Sequence, residues 1–320
     1  MKGQTMNTNE SQIFTSTGDL GTSRRQDERL YHNAETAYEK AADVAEVYQD
    51  LSKEADLQKD ISRIVFRGIV SDSAFQDIRE SELGIQLEVA MPLAEYGQDG
   101  WLIYLACNNG RRSNPLKAIP EMISATSSVP EPRAAANEVV DYRSAIDNAI
   151  LPQLHILWSE TFGWSLEEVT ALREKMETQG TDKRSLWFSG LVLNNGVLTS
   201  AAMAERLDLP GFSGNLTLIE STEWRSLEDK GLMPTTLRYL NQQIATDTAD
   251  YSQPPLVYAE CNFTSRSDRA GYRSGFRIPS RDYAAQILVQ NVAVGDNILE
   301  KGLRDFTFMY LPVHILEDLR

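Results

Sequence analysis

Between Gly214 and Pro279 the chain runs through an apolar strand pattern (LTLIESTEW, Leu216 to Trp224), then a charged turn (RSLEDKG, Arg225 to Gly231). A helical pattern (LMPTTLRYLNQQI, Leu232 to Ile244) and a second apolar strand (PLVYAEC) follow, ending before NFTSRSDRAGYRSGF. Strand, loop, helix and strand in this order form one structural unit. The first N–H groups of a helix have no partner within it, and the helix dipole adds positive character there. The turn entering Leu232 is therefore an anion site, suited to a pyrophosphate-bearing cofactor.

The rest of the composition narrows the setting. A chain of 320 residues with 42% hydrophobic content fills one large domain or two ordinary ones. No apolar run approaches the roughly 18 to 20 residues that span a bilayer, and the start, MKGQTMNTNESQIFTSTGDL, lacks the apolar centre of a secretory signal. A cytoplasmic location without membrane attachment is expected. Two cysteines, Cys107 and Cys261, are too few for a disulfide framework. With only His32, His155 and His314, no Cys/His metal cluster forms at recognised spacings, and no metal is expected. A net charge of −15 argues against a nucleic-acid partner, because phosphate contacts need clustered Lys and Arg.

Residues 1–34 are polar and lack apolar periodicity, as in a mobile tail. From Glu35 to about Ile64 apolar residues recur at helical spacing between Glu and Lys, predicting one or two amphipathic helices. From Ile64 to Asn108 short apolar runs alternate with turn residues, predicting a small mixed β or α/β region. The Pro- and Ala-containing stretch Ser124 to Asn137 reads as a linker. A boundary near residue 140 then separates an N-terminal region, 35–140, from a domain at 141–320. Further on, SAIDNAILPQLHILWSETFGWSLEEVTALREKM predicts two helices joined at Phe162–Gly163, the second capped by Ser165 with Glu168 three residues later. Asn195–Gly196 between two apolar runs is a hairpin signal. The last stretch, QILVQNVAVGDNILEKGLRDFTFMYLPV, predicts a closing antiparallel strand pair, with Tyr310 a candidate for specificity.

This order of elements, over about Ser144 to Pro312, resembles the GNAT superfamily of N-acyltransferases. There, a helical pair, a hairpin, a central strand, a pyrophosphate-loop helix, a splayed parallel strand, a further helix and a last strand pair follow one another. The resemblance implies a mixed, mostly antiparallel central sheet with a splayed parallel strand pair, here joined to an N-terminal α/β or helical region. It implies acetyl-CoA or another acyl-CoA as cosubstrate and a small-molecule or peptide amine as acceptor. A second copy of the chain, in a homodimer, is a separate candidate partner. The family loop [QR]-x-x-G-x-[GA] aligns with Glu228, Asp229, Lys230, Gly231, Leu232 and Met233, and only the glycine is kept. Glu228 replaces a phosphate-binding residue, and Met233 fills a slot usually left small for close backbone approach. Lys230 and Arg225 supply positive charge in their place.

The same resemblance assigns cofactor contacts to Trp224, Arg225, Lys230, Gly231, Leu232, Met233 and Asn262, the last following YAEC in the place of the family's pantetheine-binding Asn. The cluster Arg266, Arg269 and Arg273 lies at about one helical turn per step, and Arg269 is a candidate for the cofactor phosphate. The family's helix ends Tyr-x-x-x-Gly-Phe, the Tyr protonating the departing thiolate. Here Tyr272 stands one residue closer to Gly275–Phe276, and Gly271 takes the usual slot. One residue turns a helical side chain by about 100°.

Acyl transfer to an amine needs the amine deprotonated, so carboxylates near the fork of the central strands are the candidate bases. Glu220 and Glu223 qualify, and period-two alternation sends them to opposite faces. Glu220 is the first choice. Glu260 ends the second strand, Cys261 reads as a small buried hydrophobe, and His155 as a structural residue of an apolar helix. The competing expectation is a non-catalytic protein on the same scaffold that binds an acyl-CoA or another ligand, or regulates a partner. Under either expectation, residues 1–140 are a substrate lid, an oligomerisation element or a degenerate second acyltransferase domain.

Overall fold

The computed structural model describes residues 14–15, 18–19, 23–26, 29–57, 63–108, 138–140, 150–162, 187–227, 232–262, 267–279, 286–290 and 303–320. The chain divides into two units. The first comprises Met1–Ala94, Gln98–Arg111 and Leu209–Asn215; the second comprises Glu95–Gly97, Arg112–Asp208 and Leu216–Arg320.

In the first unit a short antiparallel pair, β1 (Phe14–Thr15) and β2 (Gly18–Asp19), precedes a five-stranded sheet. Its strands are β3 (Ser23–Gln26), β4 (Arg29–Asn33), β5 (Arg63–Val70), β6 (Leu87–Pro92) and β7 (Trp101–Asn108), in spatial order β3-β4-β5-β7-β6. β4 and β5 are parallel, and the other pairs are antiparallel. The parallel step is bridged by α1 (Ala41–Leu57), which buries Val44, Tyr48 and Leu51 at the one-face spacing that makes a helix amphipathic. α2 (Asp72–Glu80) follows β5. Ser71 caps it by accepting from the Ala74 N–H at 3.2 Å, and Ala74, Phe75 and Ile78 form its buried stripe.

Two expectations are corrected here. Residues 23–26 and 29–33, read as part of a mobile tail, form β3 and β4, and His32 and Asn33 are buried. The polar composition conceals this because β4 lies between β3 and β5, so its backbone groups are paired on both edges whatever its side chains are. The helical reading of 35–64 is shortened to Ala41–Leu57, since Arg63 already begins β5. The linker at 124–137 lies outside the described residues.

The second unit holds a seven-stranded sheet in the order β13-β14-β12-β11-β10-β9-β8. The elements are β8 (Glu138–Val140), α3 (Ile150–Phe162), β9 (Trp187–Asn194), β10 (Val197–Gly211), β11 (Gly214–Ser226), α4 (Leu232–Asp247), β12 (Leu256–Asn262), α5 (Ser267–Arg273), β13 (Gln286–Gln290), β14 (Leu303–Tyr310) and α6 (Val313–Asp318). β8 pairs with β9, so this sheet takes residues the sequence reading left in the N-terminal region. The predicted Asn195–Gly196 turn joins β9 to β10. Both residues take positive φ, 51° and 77°, the geometry of the two-residue turn that matches strand twist. The helix junction at Phe162–Gly163 and the Ser165 cap reach into residues outside the description.

Only β11 and β12 are parallel among the pairs described in this sheet, and α4 joins them. The closing pair β13–β14 is antiparallel, as expected. The architecture is thus a mixed, mostly antiparallel sheet carrying one parallel pair, as the GNAT resemblance implies. Its core packs Leu237, Leu240 and Ile244 of α4, with Ile315 and Leu316 of α6, on one face of the sheet against Ala202, Ala204, Ile219, Val257, Ala259 and Met309. Each fully buried Leu or Ile contributes about 1.5–3 kcal/mol, so α4 is held chiefly by this face.

Candidate functional site

β11 and β12 pair at Leu218–Leu256, Ile219–Val257 and Glu220–Tyr258, and no further ladder pair joins them among the described residues. Both strands run on, β11 to Ser226 and β12 to Asn262. β12 keeps β14 as partner out to Asn262–Phe306. β11 stays with β10: the Leu227 N–H donates to the Thr199 carbonyl at 2.8 Å, and Ser200 Oγ donates to the Arg225 carbonyl at 3.2 Å. The strands therefore fork beyond Glu220 and Tyr258. Thr236 Oγ1, in the first turns of α4, lies 2.8 Å from Ser200 Oγ and 2.9 Å from the Leu232 carbonyl. It fastens the helix start to the β10 side of the fork.

The two faces of the fork differ. Ile219, Val257, Ala259 and Cys261 point to the α4 face, so alternation sends Glu220, Tyr258 and Glu260 to the other. There Tyr258 Oη donates to Glu220 Oε2 at 2.9 Å. Tyr258 is fully buried and stacks on Phe308 with centroids 5.2 Å apart. Glu220, Tyr258 and Tyr310 form one row across three strands. Burial, with Glu95 adding to it, pushes the Tyr310 hydroxyl above its ordinary range, while Arg277 acts the other way. The backbone of Arg277 bonds that of Tyr310 in both directions at 2.7 Å, and burial lowers its guanidinium.

On the α4 face, Trp224 packs against the core cluster that holds Ile219. An odd number of positions separates the two residues, so strand alternation slips between them, as at a β-bulge. Trp224 Nε1 donates to Ser221 Oγ at 2.9 Å, and its ring lies 5.7 Å from that of Phe276. Gly271 of α5 faces this ring. A Cβ there would lie 3.3 Å from Trp224 Cη2 and 3.2 Å from Met309 Sδ. Trp224 stands on β11 and Gly271 on the helix after β12, so their contact spans the fork.

The remaining sequence candidates are placed as follows. Tyr272 packs on the α4-face cluster, with the Arg277 guanidinium 4.6 Å from its ring centroid, and is not brought to the Glu220 face. Arg225 and Arg269 are exposed, Leu232 is buried at the start of α4, and Met233 packs on the core. Asn262 ends β12 opposite Phe306. Cys261 is buried inside the cluster and forms no disulfide, consistent with its reading as a small hydrophobe. His155 is half-buried on α3. The side chains of Glu223 and Asn262, and residues 228–231 with Glu228, Asp229, Lys230 and Gly231, lie outside the described residues, as does Arg266.

Sequence reasoning missed Tyr258, Ser200, Thr236 and Glu95. Tyr258 sits in an apolar run where an aromatic reads as core, and its carboxylate partner is 38 positions away. Among the described residues no group of His, Cys, Asp and Glu could hold a metal ion, and no helix is long and apolar enough to cross a membrane.

No protein-family profile matches the sequence, and no curated protein matches it. Solved structures are similar to part of the chain. Spermidine N-acetyltransferase from Vibrio cholerae, in complex with CoA and spermine, is 11% identical over 56% of this chain and 97% of its own, with a TM-score of 0.38. An N-acetyltransferase from Staphylococcus aureus Mu50 is 14% identical over 56% and 99%, at 0.38. A GNAT superfamily phosphinothricin acetyltransferase from Sinorhizobium meliloti, in complex with AcCoA, is 16% identical over 56% and 89%, at 0.37.

Proposed function

We propose that the second unit is an N-acyltransferase that moves an acyl group, most simply acetyl, from coenzyme A to a small-molecule or peptide amine. The observation that carries this reading is the fork of β11 and β12 with the Glu220 carboxylate at its apex and a long helix, α4, opening beside it. Lys230 and Gly231, with Leu232 and Met233 at the helix start, would hold the cofactor phosphates, with Arg225 and Arg269 adding charge. Trp224 and Asn262 would border the pantetheine arm between the strands. Glu220, held by Tyr258, takes a proton from the acceptor ammonium. The neutral nitrogen then attacks the thioester carbonyl; the C–N bond forms, the C–S bond breaks, and the proton shed by the attacking nitrogen passes to the departing sulfur, so that coenzyme A leaves as the thiol. Glu223 and Tyr272 are the further candidates for base and thiolate acid.

One observation favours a second reading, a binding protein without turnover: the slot of the family's proton donor holds Gly271, and the ring facing it is Trp224. Titration calorimetry with acetyl-CoA, followed by thiol release across a panel of amines, separates the two. Acyl-transfer predicts binding and amine-dependent thiol release. Binding with no release on any amine supports the second reading, and no binding at millimolar ligand defeats both.

A further inference from the structure

The first unit repeats the part of the second that carries the fork. In one, β3, β4, α1, β5, α2, β6 and β7 follow each other in the sheet order β3-β4-β5-β7-β6; in the other, β10, β11, α4, β12, α5, β13 and β14 lie in the order β10-β11-β12-β14-β13. The strand directions match as well. β4 and β5 are parallel across α1 as β11 and β12 are across α4, each second strand pairs antiparallel with the last one, and the last two form an antiparallel pair. One parallel crossover in the middle of an otherwise antiparallel sheet is a specific arrangement, and its recurrence with both helices in place marks two copies of one fold.

The copies differ where the ligand would enter. In the second unit the strands part after Glu220–Tyr258. In the first, after the last ladder pair, Asn33–Arg67, the chain leaving β4 remains bonded to β5. The Ala34 N–H donates to the Arg67 carbonyl at 2.8 Å and the Tyr38 N–H to the Ile69 carbonyl at 2.9 Å, while the Tyr38 carbonyl accepts from the Ser71 N–H at 3.0 Å. The edge of β5 that would line a crevice is thus occupied by backbone of the same chain, and a ligand would have to displace these bonds. The connection carries Glu35, Glu39 and Lys40, all exposed, and no glycine, where the other unit's sequence leads into its helix through Glu228, Asp229, Lys230 and Gly231. Charge on the far face is inverted. Phe75 of α2 stacks on Trp101, whose strand partner is Val70, so Arg67 and Tyr104, each three positions away, face opposite to α2. The row Asn33–Arg67–Tyr104 stands where Glu220–Tyr258–Tyr310 stands in the second unit, with the buried guanidinium 5.5 Å over the Tyr104 ring. Its fork position holds an amide and a cation, and neither removes a proton from an ammonium.

We infer that the first unit is a second copy of the acyltransferase fold whose crevice has been closed by its own chain, so that the protein is a tandem with one acyl-CoA site, in the second unit. This rests on the function proposed above for that unit.

The test is calorimetry and hydrogen exchange on the intact chain with coenzyme A and acetyl-CoA. The expected result is one equivalent bound per chain, with slowed exchange in 216–262 and none in 29–71. Two equivalents, or protection in 29–71, overturns the tandem inference and leaves the proposed function standing. No binding overturns both. In the Glu220→Gln chain one equivalent should still bind while thiol release falls at least 100-fold; amine-dependent release in that variant together with slowed exchange in 29–71 would locate a working site in the first unit and overturn the inference.

Discussion

Tyr258 donates its hydroxyl to Glu220 Oε2 at 2.9 Å, and the pair marks the last point at which β11 and β12 are joined. A carboxylate at that place can take a proton from a nucleophile entering the fork, and the buried, stacked phenol sets its orientation.

Loss of the base and loss of its support should therefore be unequal. General-base catalysis contributes about 10²- to 10⁴-fold, so Glu220→Gln should lower kcat/KM for the amine by at least 100-fold while the Kd for acetyl-CoA stays within about threefold. Tyr258→Phe keeps the carboxylate and the Phe308 stack, and a fall of about tenfold with a displaced pH–rate profile is expected. Thiol-release kinetics at several pH values measure both, and a Tyr258→Phe loss equal to that of Glu220→Gln would make the phenol itself a proton carrier.

Trp224 should set the acyl length. Its ring is held by Ser221 and Phe276 and fills the space left by Gly271, so a long acyl chain passing through the fork toward the α4 face would meet indole. Trp224→Ala is expected to raise kcat/KM for hexanoyl-CoA relative to acetyl-CoA by about tenfold, the worth of one or two methylenes in an apolar pocket. Equal ratios in wild type and variant would remove Trp224 from the acyl pocket.

The first unit should weaken in mild acid through His32. Burial lowers its pKa from 6.5 to about 4, against an opposing pull from Glu35. Below pH 6.5 the unfolded chain takes up a proton that the folded chain refuses until about pH 4, so stability is full above 6.5 and is lost as pH falls through this window. The loss is about 3 kcal/mol at 1.36 kcal/mol per pKa unit. Hydrogen exchange of β4 and β5 amides at pH 7 and pH 4.5 should show it, and His32→Leu should remove most of the difference between the two.

Two left-handed glycines should differ in the cost of a methyl group. Gly100 has φ +91°, and a Cβ there would come within 2.2 Å of the Val70 carbonyl oxygen; Gly196 has φ +77° with nothing within 4 Å. Gly196→Ala should cost about 1 kcal/mol from backbone conformation alone, and Gly100→Ala about 3 kcal/mol or more because the β5–β7 edge must move. Urea denaturation followed separately for each unit checks the order.

Much of the second unit was legible because its signals are local. Asn195–Gly196 adopts positive φ at both positions and closes the hairpin that the dipeptide specifies, and the apolar spacing of Leu237, Leu240 and Ile244 is the face α4 buries. The candidate site was legible only in part. Glu220 was found from its place on the central strand. Tyr258 was not, because its role depends on a register between strands 38 residues apart, and Trp224 faces α5 through a slip of alternation that no periodicity announces. In the first unit, β4 was missed because it is short and ends in the polar pair His32 and Asn33, while its backbone is paired on both edges by β3 and β5, which no local pattern announces.

By itself, then, the sequence determined a strand, loop, helix and strand at Gly214–Pro279, a hairpin before it and a strand pair after it, since turn chemistry and apolar period act over a few residues. Tertiary structure alone decided where β11 leaves β12, which face carries the Glu220–Tyr258 pair, and that β4 and β5 repeat the same parallel step with the gap bonded shut at Tyr38. Those outcomes depend on hydrogen bonds between segments distant in the chain, whose partners are chosen by the sheet as a whole.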